Sequence, residues 1–290
     1  MILDAGTWAS AVRMATPLLF AAMGGVLSER AGVVNIALEG KLLAGAFAAA
    51  IVAGATGNPW AGVVAAAGAG ALVGVVHAFA GVILRGDQIV VGVALNLLVV
   101  GLTQFLMDVL FGSSANTPLV TGFDASGPGG FTPLVYLAIC LPPLVLVLLN
   151  QTPFGLRLRA CGEHPQTAES LGVDPARTRF AAVVLAGALA GMGGAFLALE
   201  THQFVKNMSA GRGFIALAAV IFGKWKPLPV AGACLFFGLA EALQIRLQGL
   251  GIPTQFVQML PYVLTMIALA GFVGRSRPPA SLGKPLETDR

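Results

Sequence analysis

At 290 residues, 57% hydrophobic and only 10% charged, with 38 glycines and a mean hydropathy of +0.85, the chain lies outside the range of water-soluble domains and reads as an integral membrane protein. Its net charge of +4 is carried largely in short loops and the C-terminal tail, where basic residues report membrane topology rather than a polyanion partner, so no nucleic acid is expected. Cys140, Cys161 and Cys234 are odd in number and widely spaced, which excludes a disulfide framework and a zinc site.

The N-terminal stretch MILDAGTWASAVRMATP has an acid at Asp4 and no basic cluster before the first apolar run, which argues against a cleaved signal peptide. Apolar runs then follow at residues 8–27, 36–55, 60–84, 88–111, 134–149, 180–199, 207–222, 228–247 and 256–273. Most are about 17 to 25 residues long, enough to cross a ~30 Å hydrocarbon core as helices, and none alternates in polarity as barrel strands do. The expected fold is all-α: a polytopic membrane bundle of about nine transmembrane helices, within a range of eight to ten, forming one domain over residues 1–275.

Residues 150–179 contain Arg157, Arg159, Arg177 and Arg179, whereas residues 112–130 contain no Lys or Arg. The first connection is therefore placed in the cytoplasm and the second outside, with the N-terminus outside. Arg30, Arg85, Lys224 and Lys226 fall inside in this scheme, and Lys206 and Arg212 fall on the wrong side. A half-membrane helix within 207–222 is the alternative that would accommodate them. Gly70 and Gly74, like Gly187 and Gly191, share helix faces at a spacing that lets backbones approach closely in lipid. The polar, proline-rich tail 276–290 is expected to be disordered.

No phosphate-binding loop, His-Glu-x-x-His or nucleophile elbow is present, so the chain is not expected to be an enzyme or to carry a cofactor or metal. Uphill transport would draw on an ion gradient or on a separate ATPase. The 150–179 loop favours the ATPase: after a basic amphipathic segment at 154–160, Pro165 suits a first helical position and Gly172 a C-terminal cap, predicting a two-turn helix lying in the cytoplasm. Arg177 and Arg179 would sit at the membrane interface.

That loop, together with ATPLLFAAMGGVLSERAGVVNIALEGKLLAGAFAAA from Ala15 and GRGFIALAAVIFGKWKPLPVAGACLFFGLAEALQIRLQ from Gly211, resembles permease subunits of ATP-binding-cassette importers. The family serves ribose and other simple sugars, nucleosides and branched-chain amino acids, and residues 29–40 resemble its nucleoside or simple-sugar branch. The resemblance implies a bacterial-type cytoplasmic (inner) membrane and three partners. These are an ATPase with two nucleotide-binding cassettes that uses the ATP, a second permease that is homologous or identical, and an external lipid-anchored or periplasmic binding protein. It also implies that Gly162, Glu163, Pro165, Ala168, Glu169, Leu171 and Gly172 couple the chain to the ATPase. Longer relatives carry an extra helix before the first span, and its loss here is expected to fit an outside N-terminus and nine spans.

Glu29 and Arg30 read as loop charges at the cytoplasmic edge, while Glu39 and Lys41 enter the next apolar helix. Gly32, Asn35 and Gly40 suit an unwound connection, a feature tolerated in transporters where it lines a cavity. Two roles fit Asn35 and Glu39. They line or brace the substrate pathway, or Asn35 caps the helix and Glu39 pairs with Lys41. Asn96 is either a pathway residue or an interhelical hydrogen-bonding group. Glu241 and Gln244 share a helix face and either border the pathway or, for Glu241, pair with a base. His77 reads as a packed neutral histidine, and the pairs Phe214/Phe222 and Phe236/Phe237 as packing rather than nucleobase platforms. An ion-coupled transporter would have to cycle Glu39, Asp108 or Glu241, and a branched-chain amino acid importer would share the same fold.

Overall fold

The computed structural model describes residues 4–113, 115–125, 127–248 and 277–286. Among these, all regular structure is helical, in the order α1 (Ala5–Arg30), α2 (Leu38–Thr56), α3 (Pro59–Ala78, continued by a π turn over Phe79–Ile83), α4 (Gln88–Phe111), α5 (Pro133–Gln151), α6 (Pro153–Glu163), α7 (Pro165–Ser170), α8 (Pro175–Glu200), α9 (Arg212–Phe222) and α10 (Pro227–Leu247). Seven of them, α1 to α5, α8 and α10, are long and apolar enough to cross a membrane. The crossing expected at 256–273 lies outside the described residues.

Proline does much of the local punctuation. Six helices begin with proline in the first turn, where its missing N–H costs nothing and its fixed φ is helical. Asn58, Thr152 and Asp174 cap three of these through side-chain oxygens. Thr152 also ends α5, so the chain breaks sharply into α6.

α1 lies at the centre: every residue from Ala15 to Glu29 is buried, against α8, α9, α10 and α5. α4 instead turns Leu97, Leu98, Phe105 and Val109 outward, as a lipid-facing helix does. α2, α3 and α8 meet along a seam of glycines. A Cβ on Gly70 would collide with the backbone of Gly187 and Gly191, and one on Gly45 with Gly191, so these helices touch backbone to backbone.

One end of the bundle collects Arg30, Arg85, α6, α7 and the turn after α9, and is its basic end, the one expected to face the cytoplasm. At the other end Asp4 caps α1 and pairs with Arg246 at 2.8 Å, closing α1 onto α10. The Arg246 guanidinium, with the Thr7 amide and hydroxyl, holds the Asp4 carboxyl well below the usual carboxylate range. A depressed carboxylate stabilises the fold at neutral pH and ceases to do so only in strong acid. Arg13 likewise donates to Gly130 O at 2.6 Å near Glu200.

The segment after α8 departs from the expected crossing at 207–222. Residues 202–206 pair with 115–120 at the outer end, through Val120 N to His202 O at 2.8 Å and Thr117 N to Phe204 O at 2.9 Å. Residues 207–211 then descend in tight turns, with Asn207, Ala210 and Gly211 at positive φ, before the short α9 carries the chain to the inner end. Eleven residues reach only about 16 Å, half a hydrocarbon core. The crossing is half turns and half helix: Arg212 is accommodated at the start of α9 by its pairing with Glu241, while Lys206 stays at the outer end.

Of the tail expected to be disordered, residues 277–286 are described and they are packed: Ser281 is buried, and Leu282 and Leu286 contact the two apolar cores. Carbonyls at the end of α6 and in the α1–α2 turn supply hydrogen-bond partners that composition alone does not disclose.

Replacing Gly191 by Val should lower unfolding free energy by about 3 kcal/mol, because backbone on two neighbours must retreat. Gly68→Ala, with nothing within 4 Å, should leave it unchanged or slightly raised. Thermal unfolding of the purified permease reads both, and equal melting temperatures for the two variants would contradict the seam.

Candidate functional site

A helix that begins inside a membrane exposes backbone N–H groups with no water to satisfy them. At α9 two of these meet one carboxylate. Gly211 N donates to Glu39 Oε1 at 2.8 Å and Gly213 N to Glu39 Oε2 at 2.7 Å. The negative charge also lies at the positive end of the α9 dipole. Gly213 permits the approach, since a Cβ there would strike the Glu39 backbone. Turn bonds within 205–215 take up most of the remaining amides, including Ala210 N to Asn207 O and Arg212 N to Ser209 O.

Glu39 is held at depth by the turn 31–37 between α1 and α2, which folds back into the bundle. A Cβ on Gly25 would lie 3.3 Å from Leu38 Cδ1. The first residue of α2 thus packs beside Gly25, five residues before the end of α1. Asn96 of α4 stitches the turn, accepting from Gly40 N at 2.8 Å and donating to Ile36 O at 3.0 Å. Gln88 accepts from Val34 N at 2.8 Å. Asn35 is fully buried and takes a bond of 2.7 Å from Lys41 Nζ, which also lies 3.0 Å from His77 Nδ1.

These contacts sort the expected residues. Asn35 does not cap α2, whose preceding residue is Ala37 with no side-chain cap, and Glu39 does not pair with Lys41. Glu29 is not a loop charge either: it is 2% exposed in the last turn of α1 and accepts from Trp225 Nε1 at 2.6 Å. Glu241 on α10 pairs with Arg212, Nη2 to Oε1 at 2.5 Å, and both side chains remain partly exposed, with Gln244 half-buried one turn further on. The Arg212–Glu241 pair thus joins the start of α9 to α10 beside the Glu39 clamp. Phe222 and Phe237 stack on each other at 5.6 Å between α9 and α10. Asp108 lies exposed one turn before the end of α4.

At the basic end of the bundle, α7 is the short helix expected from Pro165, and Gly172, at φ 82°, is the left-handed residue after it. Ala168 is buried on the side facing the bundle, while Glu169, Gly172 and Leu171, the last 79% exposed, face outward. Gly162 packs so closely on Arg30 O that no side chain fits, and Glu163 accepts from Ala280 N at 3.2 Å. A cleft of about 570 Å³ opens between α7, the π turn after α3 and residues 280–286. Arg179 was expected at the membrane interface beside Arg177. Arg177 is exposed and pairs with Asp174 at 3.0 Å, but Arg179 is 1% exposed.

Comparison with known proteins gives a consistent picture. Residues 8–269 match the family described as the permease component of the branched-chain amino acid transport system. The chain is similar to the guanosine ABC transporter permease protein NupQ of Bacillus subtilis, at 39% identity over 93% of each chain. It is also similar to the nucleoside ABC transporter permease protein NupC of Lactococcus lactis, at 40% over 92% of each. The putative glucose ABC transporter permease protein TsgC13 of Haloferax volcanii is 37% identical over 87% of this chain and 80% of its own. No solved structure matches.

The Glu39 clamp is tested by Glu39→Ala, which leaves two amides unpaired at about 1–3 kcal/mol each. A fall of about 3 kcal/mol in unfolding free energy is expected, and roughly half of that for Glu39→Gln, which keeps one acceptor oxygen. Chemical denaturation in detergent measures both, and stability equal to wild type in the alanine variant would contradict the clamp.

Proposed function

The chain belongs to the family of permease components of branched-chain amino acid transport systems, and from that premise we propose that it is the transmembrane subunit of an ATP-driven importer for nucleosides. The observation that carries the solute class is similarity at about 40% identity, along nearly the whole chain, to two permeases named for guanosine and nucleosides. A relative named for glucose keeps simple sugars as the neighbouring solute class. Branched-chain amino acid import is less favoured, because these full-length relatives are named for other solutes.

In this reading the membrane is the cytoplasmic membrane, and an external binding protein delivers solute to a pathway shared with a second permease. The Glu241–Gln244 face of α10, bearing a partly exposed ion pair, borders that pathway. Asn35, Glu39 and Asn96 brace it from behind by fixing the start of α9, which suits their burial and their protein partners. Uncharged solutes fit a pathway whose nearest charges are already paired with each other.

A partner ATPase docks on α7. Leu171 offers an exposed apolar side chain at the end of the helix, Glu169 a polar flank, and the buried Ala168 and Gly162 seat the element on the bundle. An ion-coupled mechanism finds little support: Glu39 is tied to two amides, Glu241 to Arg212, and Asp108 lies near the end of α4.

In proteoliposomes holding permeases, ATPase and binding protein, uptake of radiolabelled guanosine should require internal ATP, persist with a protonophore and be competed by other nucleosides. Uptake abolished by the protonophore but not by ATP depletion would contradict the proposal. Leu171→Asp should abolish co-purification of the ATPase while leaving the permease folded, and an unchanged yield of ATPase would contradict docking at α7.

A further inference from the structure

Arg179 is fully buried yet has no carboxylate partner among the described residues. Its guanidinium instead reaches three separate segments. Nε donates to Ala31 O at 3.0 Å, Nη1 to Lys284 O at 3.0 Å, and Nη2 to Ser281 Oγ at 2.9 Å and Cys161 O at 3.4 Å. Ala31 ends α1 and Cys161 lies in the last turn of α6. Both are helix C-termini, where carbonyls lack intrahelical partners and the dipole favours a cation. Two helix ends therefore do for this charge what an acidic side chain does elsewhere. Only arginine has a planar fork with enough donors to bridge such scattered acceptors.

Residues 280–283 complete the junction. Ser281 donates through its backbone to Gly162 O at 3.0 Å and through its hydroxyl to the same oxygen at 2.6 Å, while Gly283 N reaches Gly32 O at 3.2 Å. Gly32, at φ 95°, has no room for a side chain: a Cβ would lie 2.7 Å from both Arg179 Nη2 and Ser281 Oγ. Ser281 of this strap thus grips the last turn of α6, which precedes α7, and Gly283 grips the turn that leads to Asn35 and Glu39.

We propose that Arg179 is a positioning residue which, with residues 279–286, ties α6 to the α1–α2 turn, so that displacement of α7 by the ATPase is delivered to the Glu39 clamp. The idea rests on the reading of the chain as an ATPase-driven permease. Loss of the tie would leave the ATPase docked and turning over while solute movement no longer follows it, a signature that general destabilisation does not produce.

The test measures solute transported per ATP hydrolysed in the reconstituted complex, alongside basal hydrolysis, for Arg179→Met, Ser281→Val and a chain ending at residue 276. Each should keep basal hydrolysis and lose about tenfold in solute per ATP, the scale of removing charge-assisted bonds. Ser281→Val carries the test should Arg179→Met fail to assemble. Assembled variants with the wild-type ratio would overturn the tie. A wild-type complex showing no ATP-dependent uptake would instead overturn the proposed function, so the two failures are distinct.

Discussion

In a hydrocarbon interior each unpaired backbone N–H costs several kcal/mol, and a helix that starts there exposes a whole turn of them. The chain starts α9 in that position and meets the cost with one carboxylate, Glu39, which takes two amides from the first residues of the helix. Much else follows from placing that acid. The α1–α2 turn must fold back into the bundle, Asn96 and Gln88 must satisfy the turn's own amides and carbonyls, and Gly213 must be free of a side chain. A broken crossing gives a pathway irregular backbone and polar side chains where a continuous helix would offer only apolar ones.

The same electrostatic logic recurs with the opposite sign at the basic end of the bundle. An anion closes the positive end of α9, and a cation, Arg179, closes the negative ends of α1 and α6. Among the described residues neither group sits in a conventional side-chain ion pair, and each joins elements far apart in sequence. The glycine seam joins α2, which carries Glu39, and α8, which carries Arg179, with α3 in direct backbone contact. Close packing of this kind transmits displacement rather than absorbing it. The two junctions are thus linked by stiff elements, with α7 at one end and the Glu241–Arg212 pair near the other.

Local signals in the sequence disclosed a good part of this. Apolar runs marked the seven long helices to within a few residues at most ends, and Pro165 with Gly172 marked α7, because caps and proline act within one turn. The misplaced charges of Lys206 and Arg212 pointed to a half-helix before any coordinates did. Partners across the bundle were not legible. Glu39 and Lys41 look paired by proximity, yet Glu39 turns to residues 172 and 174 positions away and Lys41 to Asn35 and His77. Arg179 resembles its exposed neighbour Arg177 in sequence, and only the convergence of α1, α6 and the tail shows that it is buried. The tail's polar, proline-rich composition hid its anchoring for the same reason.

The central claim is that Glu39 holds the broken crossing closed, and hydrogen–deuterium exchange of residues 207–215 in the intact complex tests it most directly. Slow exchange at Gly211 and Gly213 in the wild type, with at least a tenfold acceleration at those amides in Glu39→Ala and little change in α1, is the predicted result. Rapid exchange in the wild type, or identical rates in both proteins, would contradict it.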